Sequence, residues 1–245
     1  MDFGEIHTRI VNRATLRHRE CLCPRLTAFE RDQKRRRSET CGRDDRYLAA
    51  MVRAIFQAGF QWQIIDRKWP DFERAFHRFD IGRNAMMSDE DFDGLLRDRT
   101  IVRHGAKIAA VNRNAIFLSD LAQEHGSAAT LFESWPKHDL IGLIRLLRKR
   151  GTRLGGSTCF NALRSAGIDT FVPWTDVAAG LTDLDAIDGQ LTSLGDLTAA
   201  ATFFANWSDA SGQSIAQLSQ LLALSIGPIT TPNDHSQTQK EITHV

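Results

Sequence analysis

The 245-residue chain is predicted to be all-α. Apolar residues recur at steps of three and four along most of it, strand-like alternation is nearly absent, and several periodic segments stop near a glycine, where helices naturally end. With 42% apolar and 25% charged residues, a well-buried core is within reach. No stretch approaches the roughly 18 to 20 uninterrupted apolar residues of a membrane span. Residues 1–19 mix charge with apolar side chains and lack the hydrophobic stretch of an export signal, so a cytoplasmic protein is expected. In that compartment Cys21, Cys23, Cys41 and Cys159 read as reduced thiols. The net charge of +1 conceals two basic clusters, one of Arg31, Lys34, Arg35, Arg36 and Arg37, the other of Arg145, Arg148, Lys149, Arg150 and Arg153.

Taken in order, residues 1–42 are polar, basic and weakly periodic, and read as an arm or short helix with a mobile stretch over residues 31–42. Residues 43–227 form the main helical domain. Leu48, Met51, Val52, Ile55 and Phe56 make one apolar face of a helix that ends near Gly59. A second helix is predicted over residues 62–68, and Pro70 opens a third that carries Phe72, Ala75, Phe76 and Phe79. Ser88, followed by Glu90 and Asp91, reads as an N-cap with an acidic first turn. Longer amphipathic helices are expected over residues 107–125 and 139–149. After a glycine-rich turn at 151–156, helices are expected over 158–166, 193–209 and 214–225. The polar tail, 228–245, reads as disordered.

Three motifs stand out. They are Gln57-Ala58-Gly59-Phe60-Gln61-Trp62, then Phe72-Glu73-Arg74-Ala75-Phe76 with Phe79-Asp80, then Ile101-Val102-Arg103-His104-Gly105-Ala106-Lys107-Ile108. In content, order and spacing they resemble the signatures of the 3-methyladenine DNA glycosylase I family. The run from Lys149-Arg150-Gly151 to Gly155-Gly156-Ser157-Thr158 resembles that family's helix-hairpin-helix turn, so the similarity covers roughly residues 44–177. The resemblance implies a helix-hairpin-helix DNA glycosylase-like domain. Such an enzyme flips an alkylated purine out of duplex DNA and hydrolyses its N-glycosidic bond, without lyase chemistry and without a cofactor.

The residue chemistry suits that task. Extruding a base costs stacking energy, which an aromatic surface and hydrogen bonds to the base edge offset. Trp62 is expected to stack on the base, with Phe60, Trp174 and Gln57 completing the pocket. A glycine turn opening a helix aims unpaired amides outward at the positive end of the helix dipole, so Gly155, Gly156, Ser157 and Thr158 suit a phosphate. Lys149, Arg150 and Arg153 add charge beside it, and the resemblance adds Arg103, His104 and Lys107 to the DNA-facing surface. Such contacts hold a duplex without reading its sequence.

Two departures from the family, and one absence it shares, are visible. Its N-terminal aromatic and acidic signature and its zinc-binding Cys and His residues are missing, so no metal is expected, although Cys21, Cys23, Cys41 and His18 could form a different site. In the stretch Val172-Pro173-Trp174-Thr175-Asp176-Val177, Trp174 takes the place of the catalytic Asp of helix-hairpin-helix relatives, a residue the glycosylase I family also lacks. Asp176 is then the nearest carboxylate, as an electrostatic stabiliser or a helix N-cap. Finally, Ala54 stands where the family carries the acid that holds the alkylated adenine. Either Asp44 or Asp45 enters the pocket, or the lesion has changed, or excision is lost.

The expectation is therefore a monomeric, nucleoid-associated repair enzyme acting on double-stranded DNA with alkylated bases, independent of membranes and of an obligate protein partner. A non-catalytic lesion-binding module of the same fold and a helical protein adaptor are the rivals. The helical pair within residues 181–227 is expected to pack over the N-terminal helices in place of the zinc staple.

Overall fold

The Asp2 carboxylate accepts hydrogen bonds from the amides of Gly4 and Glu5, at 2.8 and 3.2 Å, and so caps the first helix, α1 (Phe3–His18). Helix α1 buries Ile6, Ile10 and Ala14. Helix α2 (Cys23–Thr40) follows, with a proline in its first turn. Its apolar anchors are few: Leu22 just before it is buried, and Leu26 and Phe29 are half-buried. What carries it through the basic cluster is a ladder of ion pairs one turn apart, Lys34–Glu30, Arg36–Asp32 and Arg35–Glu39. Residues 31–40, expected to be mobile, are therefore helical. The sequence reading weighed the arginines but not the interleaved acids.

The structure, a computed structural model, describes residues 2–227, and no strand occurs among them. After α2 come α3 (Asp44–Gln57), α4 (Trp62–Ala75), α5 (Ile81–Ala85), α6 (Asp89–Arg97), α7 (Gly105–His125), α8 (Ala128–Glu133) and α9 (Leu140–Arg150). Then follow α10 (Thr158–Ser165), α11 (Thr175–Asp183), α12 (Leu194–Ser211) and α13 (Ile215–Ile226). Helix α3 is the centre of the body: ten of its residues are buried, and it packs against α10 on one side and α7 on another.

The two helices expected around Pro70 are one. Pro70 lies inside α4, on its exposed side, where the missing amide costs little else. A stack of rings holds the far end in place: Trp69 lies 5.7 Å from Phe72 and 5.3 Å from Phe79, and Phe76 sits 6.0 Å from each of those two. Ser88 and Asp91 form a reciprocal capping box at α6. Helices α5 and α8 went unread because each is too short to show a full apolar period, and α11 because Val177 and Leu181 are its only large apolar residues.

The two ends of the described chain meet. Helix α1 packs along α12 and α13. Arg13 pairs with Asp183 at 2.6 Å, Arg17 Nε donates to the Gly227 carbonyl at 2.7 Å, and His18 Nε2 donates to the Leu224 carbonyl at 3.0 Å. No helix among the described residues is long and apolar enough to cross a membrane. The tail expected over 228–245 lies outside the described residues.

Candidate base pocket

Helix α3 ends at Gln57, and the chain reverses at Gly59 before α4 opens at Trp62. Against this corner stand the turn before α10 and residues 173–175, which lead into α11. Together they enclose a cleft of about 270 Å³ lined by Ala54, Gln57, Ala58, Gly59, Trp62, Gly155, Gly156, Ser157, Thr158, Asn161, Pro173, Trp174 and Thr175. The volume is at the low end for a ligand pocket, near 300 Å³, and suits a single nucleobase. Trp62 and Trp174 are half-buried, so each offers ring surface to the space. A larger depression, about 900 Å³, lies between Phe3, Phe203 and Leu194, but no ionisable side chain lines it.

The α10 side of the cleft is a backbone surface. The Thr158 amide donates to the Gly155 carbonyl, while the amides of Gly155, Gly156 and Ser157 have no acceptor among the described residues. Arg148 Nη2 donates to the Gly156 carbonyl at 2.9 Å and fixes the turn from below. Gln57 Nε2 donates to Asp66 Oδ1 at 3.3 Å, and Asp66, one helical turn beyond Trp62, also lies 3.7 Å from Arg53.

Behind these walls the charge is positive. The Lys107 ammonium, on a side chain that is 3% exposed, donates to the carbonyls of Phe56 and Ala58 at 3.2 and 2.6 Å. Burial, with the nearby Arg153 charge, pulls its pKa down to about 8. Arg164 is 6% exposed, donates through Nη2 to the Thr170 carbonyl at 2.6 Å, and lies 5.4 Å from the Trp174 ring and 5.7 Å from Phe29. Desolvation pulls its pKa down to about 9, opposed by the Asp169 carboxylate. Arg164 Nε and Nη1 and the Trp174 indole nitrogen are buried with no partner among the described residues.

Comparison with known proteins reaches one wall of this cleft, the segment from Ala54 to Trp62. Residues 39–142 match the methyladenine glycosylase family. The chain is 27% identical over 131 residues to DNA-3-methyladenine glycosylase 1 of Escherichia coli (strain K12), covering 46% of this chain and 70% of that one. It is 26% identical over the same length to DNA-3-methyladenine glycosylase of Haemophilus influenzae, covering 46% and 71%. A solved 3-methyladenine DNA glycosylase I from Staphylococcus aureus aligns at 26% identity, covering 51% of this chain and 77% of that one, with a TM-score of 0.45.

Over residues 39–142 the chain is similar to the methyladenine glycosylase family.

Of the residues expected at the site, Gln57, Trp62, Trp174, Gly155, Gly156, Ser157 and Thr158 share one cleft. Lys149, Arg153 and Arg103 are exposed. The other expected residues stand elsewhere. Phe60 is 39% exposed and outside the lining, its ring 4.4 Å from the Lys107 ammonium. Lys107 itself is spent on the carbonyls that end α3, and His104 Nδ1 accepts from the Lys107 amide at 3.4 Å as the N-cap of α7. Arg150 is clamped to both Glu124 oxygens, at 2.7 and 2.8 Å, and ties α9 to α7.

Asp176 turns away from the cleft. A side chain on Gly227 would strike its carboxylate, which therefore lies against the end of α13, near Arg17; burial raises its pKa and the Arg17 charge opposes that. Nor do Asp44 or Asp45 enter. Asp44 accepts from Ser127 Oγ and the Ala129 amide at the start of α8, and Asp45 pairs with Arg43 and Arg46. Cys41 sits at the opposite end of α2 from Cys21 and Cys23, with its Sγ 3.6 Å from Glu133, and no three His, Cys, Asp or Glu side chains converge on a metal site among the described residues.

Sequence reasoning overlooked two residues. Arg164 is an arginine inside the apolar run Phe160 to Leu163 and Ala166, and Asp66 falls four residues after Trp62 on one helix face. Both spacings were available as signals.

Proposed function

We propose that this chain is a monofunctional DNA glycosylase that draws a damaged purine of the alkylated class out of duplex DNA and hydrolyses its N-glycosidic bond. One observation carries the reading: an indole and a glycine-rich backbone turn, 93 or more positions apart in sequence, face the same nucleobase-sized cleft. Trp62 and Trp174 offset the loss of stacking, Gln57 offers an amide edge to the base, and the amides of Gly155, Gly156 and Ser157 hold the flanking phosphate beside Lys149, Arg153 and Arg103. The bond from C1′ to the base nitrogen breaks with its electron pair going to the base, a water oxygen bonds to C1′, and the water's proton passes to solvent, or to the base where the base leaves as an anion. No lysine lines the cleft among the described residues, which fits hydrolysis by water rather than a covalent Schiff base. The protein is read as a monomer acting on its own in the cytoplasm, at the nucleoid.

Single-turnover assays on duplexes bearing one damaged purine test this. Wild type should release a base, and Trp62→Ala should slow release at least tenfold with little change in duplex affinity. Equal rates in the two proteins, or none in either, end the proposal. A second reading, a non-catalytic lesion binder, is favoured by the lack of any carboxylate among the described residues lining the cleft. It requires binding that persists without excision and falls steeply with salt.

A further inference from the structure

A purine alkylated at a ring nitrogen while still joined to its sugar carries a positive charge, and the described lining of this cleft offers that charge no carboxylate. Ala54, at the position of the family's base-holding acid, lines the wall, and no Asp or Glu lines it among the described residues. Asp66 is half exposed and shared between Arg53 and Gln57. Asp169, the carboxylate that acts on Arg164, is committed to the amides of Ile215 and Ala216, at 3.2 and 2.8 Å, at the start of α13.

The positive charges lie behind the walls. Arg164 stacks near the ring of Trp174, a wall residue, with two of its nitrogens unpartnered among the described residues. Lys107 is fastened to the carbonyl of Ala58, another wall residue. Arg53, one residue before Ala54, lies with its guanidinium 4.2 Å from the Trp69 ring. Lys107 and Arg164, each buried and in contact with a wall residue, disfavour a further cation beside them and favour a ligand rich in acceptors. Arg53 is half-buried and paired with Asp66.

Resting on the glycosylase reading, we infer that the cleft takes a purine that is uncharged in DNA and carries oxygen or nitrogen acceptors on its edge, and that it discriminates against cationic alkylated purines. The reaction supports the same choice. When the C1′–N bond breaks, its electron pair goes to the base, water's oxygen bonds to C1′, and water's proton ends on the base or solvent. A neutral base therefore leaves as an anion, and the surrounding positive field lowers the energy of the charge that develops. A cationic base leaves neutral and gains nothing from that field.

The test compares single-turnover release from duplexes identical except for one base: hypoxanthine, 1,N6-ethenoadenine or 7-methylguanine. Wild type should release at least one of the two neutral bases ten or more times faster than 7-methylguanine. Ala54→Glu, which restores an acid to the wall, should reduce that preference at least tenfold. Faster release of 7-methylguanine by wild type overturns the inference and leaves the glycosylase reading standing. Release of no base overturns both. The wild-type ratio decides the matter even if the Ala54→Glu protein does not fold.

Discussion

At the scale of single residues, the cleft rests on charges placed where solvation is poor. Lys107 is the clearest case, because its ammonium closes the end of α3 by donating to the Phe56 and Ala58 carbonyls. Its pKa in the fold, about 8, lies below the ordinary lysine value. Below pH 8 both folded and unfolded states hold the proton, so the full cost of burying the ammonium is present. Between pH 8 and about 10 the folded state releases its proton while the unfolded state keeps it, and stability rises. The stability of wild type relative to Lys107→Met should thus increase by about 2 kcal/mol between pH 7 and pH 9.5, read from denaturant midpoints. A difference that does not move with pH would mean the ammonium is well solvated. That Trp62 and the glycine turn share a cleft was legible, because a site that stacks a base beside a phosphate would demand those residue types. Lys107 and Arg150 were misread for the opposite reason: a cation in sequence looks the same whether it faces DNA or closes a helix end.

Among the elements, the long helices were legible from periodicity, while the approaches between them were not. Helix α2 nearly touches the end of α10, where Thr40 Oγ1 donates to the Ala166 carbonyl at 2.6 Å. Gly167, with φ of +77°, lies so close to α2 that an added methyl would run into the Arg37 backbone, with Cα at 2.6 Å. Gly59 has a similar φ of +74° but open space around its methyl position. Comparing Gly167→Ala with Gly59→Ala separates backbone strain from steric conflict. Gly59→Ala should cost about 1 kcal/mol, and Gly167→Ala about 2 to 4 kcal/mol, because overpacking adds to the left-handed backbone cost. Equal costs by urea denaturation would mean that α2 can move away from α10. No pattern in the sequence marks this approach, since the glycine and the arginine it meets are far apart in the chain.

For the whole molecule, the question is what holds the two ends of the described chain together. The described chain answers with apolar area and a few directed bonds, since α1 lies along α12 and α13 while Arg13, Arg17 and His18 reach Asp183, Gly227 and Leu224. Sequence reading anticipated a C-terminal helical pair over an N-terminal helix. It did not show that α2 continues this layer onto α3 and α10, because α2 has almost no apolar stripe and its order depends on ion pairs and on contacts remote in sequence. If this layer is the staple, the terminal helices and the glycosylase-like core melt together. Ile10, fully buried in α1, tests that coupling. Ile10→Ala leaves a cavity and should cost about 2 to 4 kcal/mol. In a chain of this size that lowers the melting temperature by about 5 to 15 °C, with far-ultraviolet and near-ultraviolet circular dichroism moving together. Were a small transition to split off at lower temperature while the main one stayed put, α1 would be an appendage, and the core would be stable without the terminal helices.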